Sequence, residues 1–259
     1  MSTTTTYGAT LDVSQTPRVP QSRLVKVELR KMVDTRAGMW LIIIIGLVTV
    51  AAVVIFGLTA NDDDKTMFNF MSFTGAPQGF ILPVMAILLI TQEWGQRTAM
   101  VTFALEPHRN KVLGAKVYAA LTIGAAAMFV AFLFAAIATA LFGPSGGFDG
   151  FGGLDATKFL LLQATGILQG LAFGLLFLNS ATAIVLFFVL PTVFGILGAT
   201  WDAFGRHAAW FDFGTAQGPL FDAGNLTGKE WAQLTTTSMY WIFIPLAIGA
   251  WRMLRSELK

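Results

Sequence analysis

The chain has 259 residues, 55% of them hydrophobic and 12% charged, with a mean hydropathy of +0.66. A soluble domain carries about twice that share of charge, so the composition excludes an ordinary water-soluble globule and points to lipid as the surroundings. The net charge of +2 is too small to suggest a nucleic-acid partner, and the absence of cysteine excludes disulfides, thiolate metal sites and a cysteine nucleophile.

Residues 1–21 are polar and rich in Ser and Thr, with Pro17 and Pro20 and no apolar h-region. They read as a disordered cytoplasmic tail rather than a signal peptide. The remainder, 22–259, reads as one all-α integral membrane domain. Arg23 to Ala37 predicts an amphipathic helix. On a helical wheel Leu24, Val25, Leu29, Met32 and Val33 share one arc, and Lys26, Arg30, Lys31 and Asp34 the other. Glu28 interrupts the apolar arc. Such a helix can lie flat in the inner headgroup layer; the plainer reading is a basic flank that sets topology.

A helix needs about 20 residues to cross the hydrocarbon. Six segments qualify: 38–60, 73–91, 115–142, 158–178, 180–199 and 235–251. Pro77, Gly79 and Pro83 are expected to bend the second. The uncharged stretch from Phe159 to Ala199 is too long for one crossing and divides at Asn179-Ser180, which also suits a helix cap. With both ends in the cytoplasm, the inner segments hold thirteen of the seventeen Lys and Arg residues. The outer ones hold only Lys65, Lys158, Arg206 and Lys229, while acids such as Asp62-Asp63-Asp64 collect there. That is the positive-inside bias, and Trp40, Trp94, Trp201, Trp231 and Trp251 near the span ends supply an aromatic belt.

The inner connection from Glu93 to Lys116 is longer than a turn requires. It contains a helix-compatible run with Met100, Val101, Phe103 and Leu105, closed by Pro107. An apolar helix tethered at both ends suits docking into another protein's groove; the alternative is a loop resting on headgroups. Here the sequence resembles the permease subunits of type-two ATP-binding-cassette exporters. Glu28-Leu29-Arg30-Lys31 looks like that family's amino-terminal interface helix. Glu93, Gly95-Gln96-Arg97-Thr98, Leu105, Pro107, Arg109 and Lys116 are similar to its inner loop, although many members place Thr directly after Gly. The resemblance implies six spans, an interface helix, and a cytoplasmic coupling helix between spans two and three that contacts the ATPase. The coupling set would be Glu93, Gly95, Arg97, Thr98, Met100, Phe103, Leu105, Pro107 and Arg109.

The resemblance further implies two ATPase subunits, which would hold the ATP and Mg, and a second permease subunit, identical or a paralogue. No cofactor is expected in this chain, which would not be an enzyme by itself. A bacterial cell membrane is the implied location. The translocation path would run largely along spans two and five, with Pro83 and Pro191 as bends. The polar residues of the spans are mostly Thr; Gln163 and Gln169, with Asn179 at the break, could line the path, although glutamines there more often join neighbouring helices. Short outer helices between Trp201 and Trp231 would cap the exit.

Two further signals bear on mechanism. The spans carry no ionisable group beyond their ends, whereas ion-coupled transporters need such groups at depth. Gly224 to Glu230 superficially resembles a phosphate-binding loop, but it is one spacer short and Glu230 follows Lys229 where Ser or Thr should stand. It reads as a Gly-rich loop leading to a helix. His108 and His207, the only histidines, match no catalytic or metal constellation. The competing readings are a secondary transporter or channel acting alone, and a non-transport membrane assembly factor.

Overall fold

The computed structural model describes residues 19–222 and 224–255. The anticipated tail lies outside the described residues except for its last three positions, and Gln21 already opens a helix. Among the described residues the secondary structure is entirely helical. The elements are α1 (Gln21–Asp34), α2 (Arg36–Thr59), α3 (Met67–Gly95), α4 (Ala99–Leu105), α5 (Arg109–Phe142), α6 (Gly153–Phe177) and α7 (Ser180–Thr200). They are followed by α8 (Asp202–Gly205), α9 (Phe213–Gln217), α10 (Gly228–Ser238) and α11 (Ile244–Arg255).

Local chemistry explains the boundaries. Thr35 ends α1 in an extended conformation and caps α2, its hydroxyl accepting the Gly38 N–H at 3.1 Å. The break anticipated at Asn179-Ser180 is present. Leu178 turns left-handed at φ 52°, and the Asn179 side chain accepts the Thr182 N–H at 3.0 Å to start α7. The loop resembling a phosphate site is a helix start: Thr227 and Glu230 form a reciprocal capping box on α10.

Among the described residues five helices are long and apolar enough to cross a membrane: α2, α3, α5, α6 and α7. Several outrun the segments expected from hydropathy. Helix α3 passes through Pro77 and Pro83 without breaking, and α5 begins at Arg109, taking in the last third of the polar inner connection. The last anticipated segment, 235–251, lies within a backbone that stays helical from Gly228 to Arg255, with a π turn over Met239–Phe243 between α10 and α11.

Helices α3 and α6 form the centre of the bundle. In their apolar stretches 56% and 61% is buried, against 17% of α2 and 11% of α7. Glycine makes the central crossing close. A methyl at Gly170 of α6 would fall inside contact distance of the Pro83 backbone of α3, and one at Gly174 would sit 3.1 Å from Ile90 Cβ. On its other side α6 meets Gly249 of α11, where a methyl would lie 2.6 Å from the Leu175 backbone. Small residues of this kind let membrane helices gain dispersion contacts that lipid cannot supply.

The two ends of the bundle differ in charge. Helices α1 and α4 and the carboxyl end of α11 share a basic end, where Gln21 donates to the Lys111 carbonyl and Arg109 to that of Met253. The loops after α2, α5 and α7 form the opposite, acidic end.

Candidate functional site

At the basic end a buried ionic network joins α1, α3 and α5. Lys116 Nζ lies 2.8 Å from Glu28 Oε2 and 3.1 Å from Glu93 Oε1, and donates to the Leu89 carbonyl at 3.1 Å. Lys31 Nζ lies 2.6 Å from both Glu28 Oε1 and Glu93 Oε1. The Lys116, Glu28 and Glu93 side chains are only 3%, 5% and 6% exposed. Lys31, 29% exposed, closes the network toward solvent, so the three buried charges are compensated by opposite charge, which is the condition for burying them without a large penalty. Burial works against the Lys31 ammonium, but hydrogen bonds and charge from Glu28 and Glu93 outweigh it and hold its pKa above the ordinary 10.5.

The network accounts for the oddity in the α1 pattern. Glu28 stands in the apolar arc because that arc faces the bundle, where Lys116 receives it. Leu29 packs on the core beside Met32, Arg30 is exposed and Lys31 lies between. Lys116, which enters the resemblance but not the expected coupling set, is the central member. Its signal in the sequence is a lysine at the point where α5 turns apolar.

Helix α3 ends in a Schellman turn. Thr98 N–H donates to the Glu93 carbonyl at 2.9 Å and Arg97 N–H to that of Trp94 at 3.2 Å. Arg97 occupies the left-handed position at φ 57°, which glycine normally fills. This turn, with Gly95 just before it, throws α4 across the end of the bundle. Phe103 of α4 points inward, 8% exposed, with the Arg109 guanidinium 4.9 Å from its ring centre. Glu106 accepts the His108 N–H at 3.1 Å and lies 2.7 Å from its Nδ1, contacts that hold its carboxyl below the usual value. Outward, Met100, Val101 and Leu105 are 54%, 60% and 78% exposed, and Pro107 beyond them is also exposed.

The anticipated coupling residues thus divide. Met100 and Leu105 present an apolar surface, Phe103 and Arg109 seat the helix, and Glu93 anchors it from beneath.

A cavity of about 500 Å³ lies between α3, α6 and α7 and is capped by α9. Pro83, Gln163, Gln169 and Pro191 all line it. Asn179 does not, being committed to the α7 cap. As prolines, Pro83 and Pro191 deny the carbonyls of Gly79 and Phe187, both at the wall, their usual helical donors. Toward the basic end the cavity is sealed by packing of Ile87, Phe173 and Ala183, and by a 2.7 Å contact between the Thr91 and Ser180 hydroxyls. Toward the acidic end Gln217 of α9 donates to Thr165 Oγ1 at 2.9 Å.

The cap is itself held in place. Lys158, fully buried, reaches the carbonyls of Asp222 and Gly224 at 2.5 and 2.9 Å and Asp155 at 3.1 Å. Trp241 donates to the Phe211 carbonyl at 2.8 Å. Among the described residues no cluster of His, Asp and Glu could hold a metal ion. Compared with known proteins, the chain matches no protein-family model and no curated protein at a significant level.

Proposed function

We propose that the chain is the membrane-spanning permease subunit of an ATP-driven exporter of the type-two ATP-binding-cassette class. The observation that carries this reading is α4: a short helix at the basic end, seated by Phe103 and Arg109, that keeps Met100, Val101 and Leu105 in the open. A coupling helix needs both properties. It must present an apolar face to a partner, and it must be fixed rigidly enough to pass the partner's motion to the bundle. The ionic network supplies the fixing, because it ties the base of α4 through Glu93 to α1 and α5.

In this reading α1 is the interface helix, and the helical stretch from Gly228 to Arg255 is a sixth span. Both ends lie on the cytoplasmic side of a bacterial cell membrane. Two such subunits, or one with a paralogue, pair around the path. Two ATPase subunits hold ATP and Mg and dock on the α4 helices. Closure of the ATPases moves α4, and α3 and α5 follow as levers. A machine driven from outside the bilayer needs no ionisable group at depth, which agrees with the charge-free middle of the spans.

Copurification tests the reading. The full-length tagged protein should bring down an ATPase, and Leu105→Asp should weaken that association about tenfold with melting temperature and membrane content unchanged. If no ATPase accompanies the wild type, the exporter reading fails, and a solitary facilitator or an assembly factor takes its place. Wild-type association by Leu105→Asp would remove α4 as the docking element.

A further inference from the structure

The cavity between α3, α6, α7 and α9 is more than a gap in packing, and its chemistry restricts what can occupy it. Its volume of about 500 Å³ lies within the range of roughly 300–1,000 Å³ typical of small-molecule pockets. Its wall contains no charged residue and many phenylalanines. Phe80 of α3 and Phe188 of α7, both exposed, stack at 6.3 Å across its membrane-facing side. An ion has no partner here and would lose its hydration.

The three glutamines of the wall are not equivalent. Gln163 donates to Gln78 at 3.5 Å, and Gln217 to Thr165 at 2.9 Å, so both join one helix to another. Gln169 differs: it is 5% exposed, and its amide nitrogen has no acceptor in the protein. A buried amide donor left unmet costs about 1–3 kcal/mol. A residue that only joined helices would have a partner. We infer that the cavity is a binding site for a neutral, largely apolar molecule bearing a carbonyl or similar acceptor, which the Gln169 amide receives. The inference rests on the permease reading only in making that molecule the cargo.

Benzophenone is a suitable probe, since it is neutral, aromatic and carbonyl-bearing and inserts into C–H bonds under light. Diphenylmethane lacks its acceptor, and 4-benzoylbenzoate adds a negative charge to the same body. The full-length protein in nanodiscs, without any ATPase, is labelled with benzophenone and mapped by peptide mass spectrometry. Saturable labelling is expected at Met128 on the cavity wall, distinct from non-saturable background at the exposed Met39. Diphenylmethane should compete more weakly, and 4-benzoylbenzoate not at all.

Gly79→Leu supplies the steric control. The glycine lines the cavity and a methyl there meets nothing within 4 Å, so a leucine has room to enter the space from its Cβ onward and should abolish the labelling. Gln169→Leu should raise the half-saturating concentration about threefold to tenfold while leaving the melting temperature equal or higher. A helix-joining glutamine would instead lose stability. Absence of saturable labelling, equal labelling in Gly79→Leu, or equal competition by 4-benzoylbenzoate would overturn the site. A protein that binds benzophenone in the cavity but recruits no ATPase keeps the site and loses the permease reading. One that recruits an ATPase yet fails these tests loses only the site.

Discussion

Glu93, Glu28, Lys31 and Lys116 behave as a unit rather than as separate contacts. Removing one of the three buried charges leaves the others out of balance where little water reaches, which costs about 3–5 kcal/mol for a buried pair. Glu93→Gln should therefore lower the melting temperature and loosen α1, whether or not an ATPase is present. Replacing Glu93 by Leu together with Lys116 by Met removes one charge of each sign and leaves Glu28 with Lys31, so the double variant should recover most of the loss. A double-mutant cycle read by thermal unfolding in detergent checks this, and additive losses would show that the four charges are independent. Phe103 belongs with these anchoring residues: it is buried under Arg109, so a charge there would disturb the seat of α4 rather than its partner-facing surface. Sequence could mark Glu93 as important, but not its sense. A glutamate at the end of a span reads alike whether it faces a partner or a lysine one helix away.

At the scale of elements, the crossing of α6 on α3 is set by what is absent from its surface. Gly170 stands against the Pro83 backbone, with no room for even a methyl group. Gly170→Leu should push the helices apart, cost about 1–3 kcal/mol as overpacking does, and lower the melting temperature by several degrees. Gly75, whose added methyl meets nothing within 4 Å, provides the control: Gly75→Ala should leave stability within about 0.5 kcal/mol of wild type. Equal effects at the two positions would contradict the close crossing. The elements themselves were mostly legible in the sequence. The cap at Asn179, the continuous apolar run of α2 and the separate α4 all follow from local rules. The lengths of α3 and α5 did not, because hydropathy assigns polar residues such as Glu93, Arg109 and Lys111 to the connection, whereas their helices carry them into the packed end of the bundle. Nor did hydropathy reveal the π turn in the last helix, since it depends on how that helix packs on α6.

For the whole molecule, the charge asymmetry along the chain predicts its orientation. The native chain has no cysteine, so single-cysteine variants report on sidedness without background. Ser22→Cys and Asp63→Cys place exposed thiols at the basic and acidic ends. A membrane-impermeant maleimide added to intact cells should label only the second, and permeabilisation should add the first. Labelling of both from outside would refute the six-span arrangement with both ends inside.

Composition and periodicity alone determined that the chain is helical and suited to a bilayer, where it divides into spans, and which end is basic. These follow from the solvent, because hydrocarbon demands long apolar helices whose backbone bonds close within the segment. Only the tertiary structure decided which polar groups inside that apolar sequence are partnered. Glu28 and Lys116 lie 88 positions apart and meet, whereas the amide nitrogen of Gln169, six residues from the partnered Gln163, has no acceptor in the protein. Pairing at such separations depends on how helices cross, and the crossing is set by packing at glycines and prolines whose neighbours the linear pattern does not name.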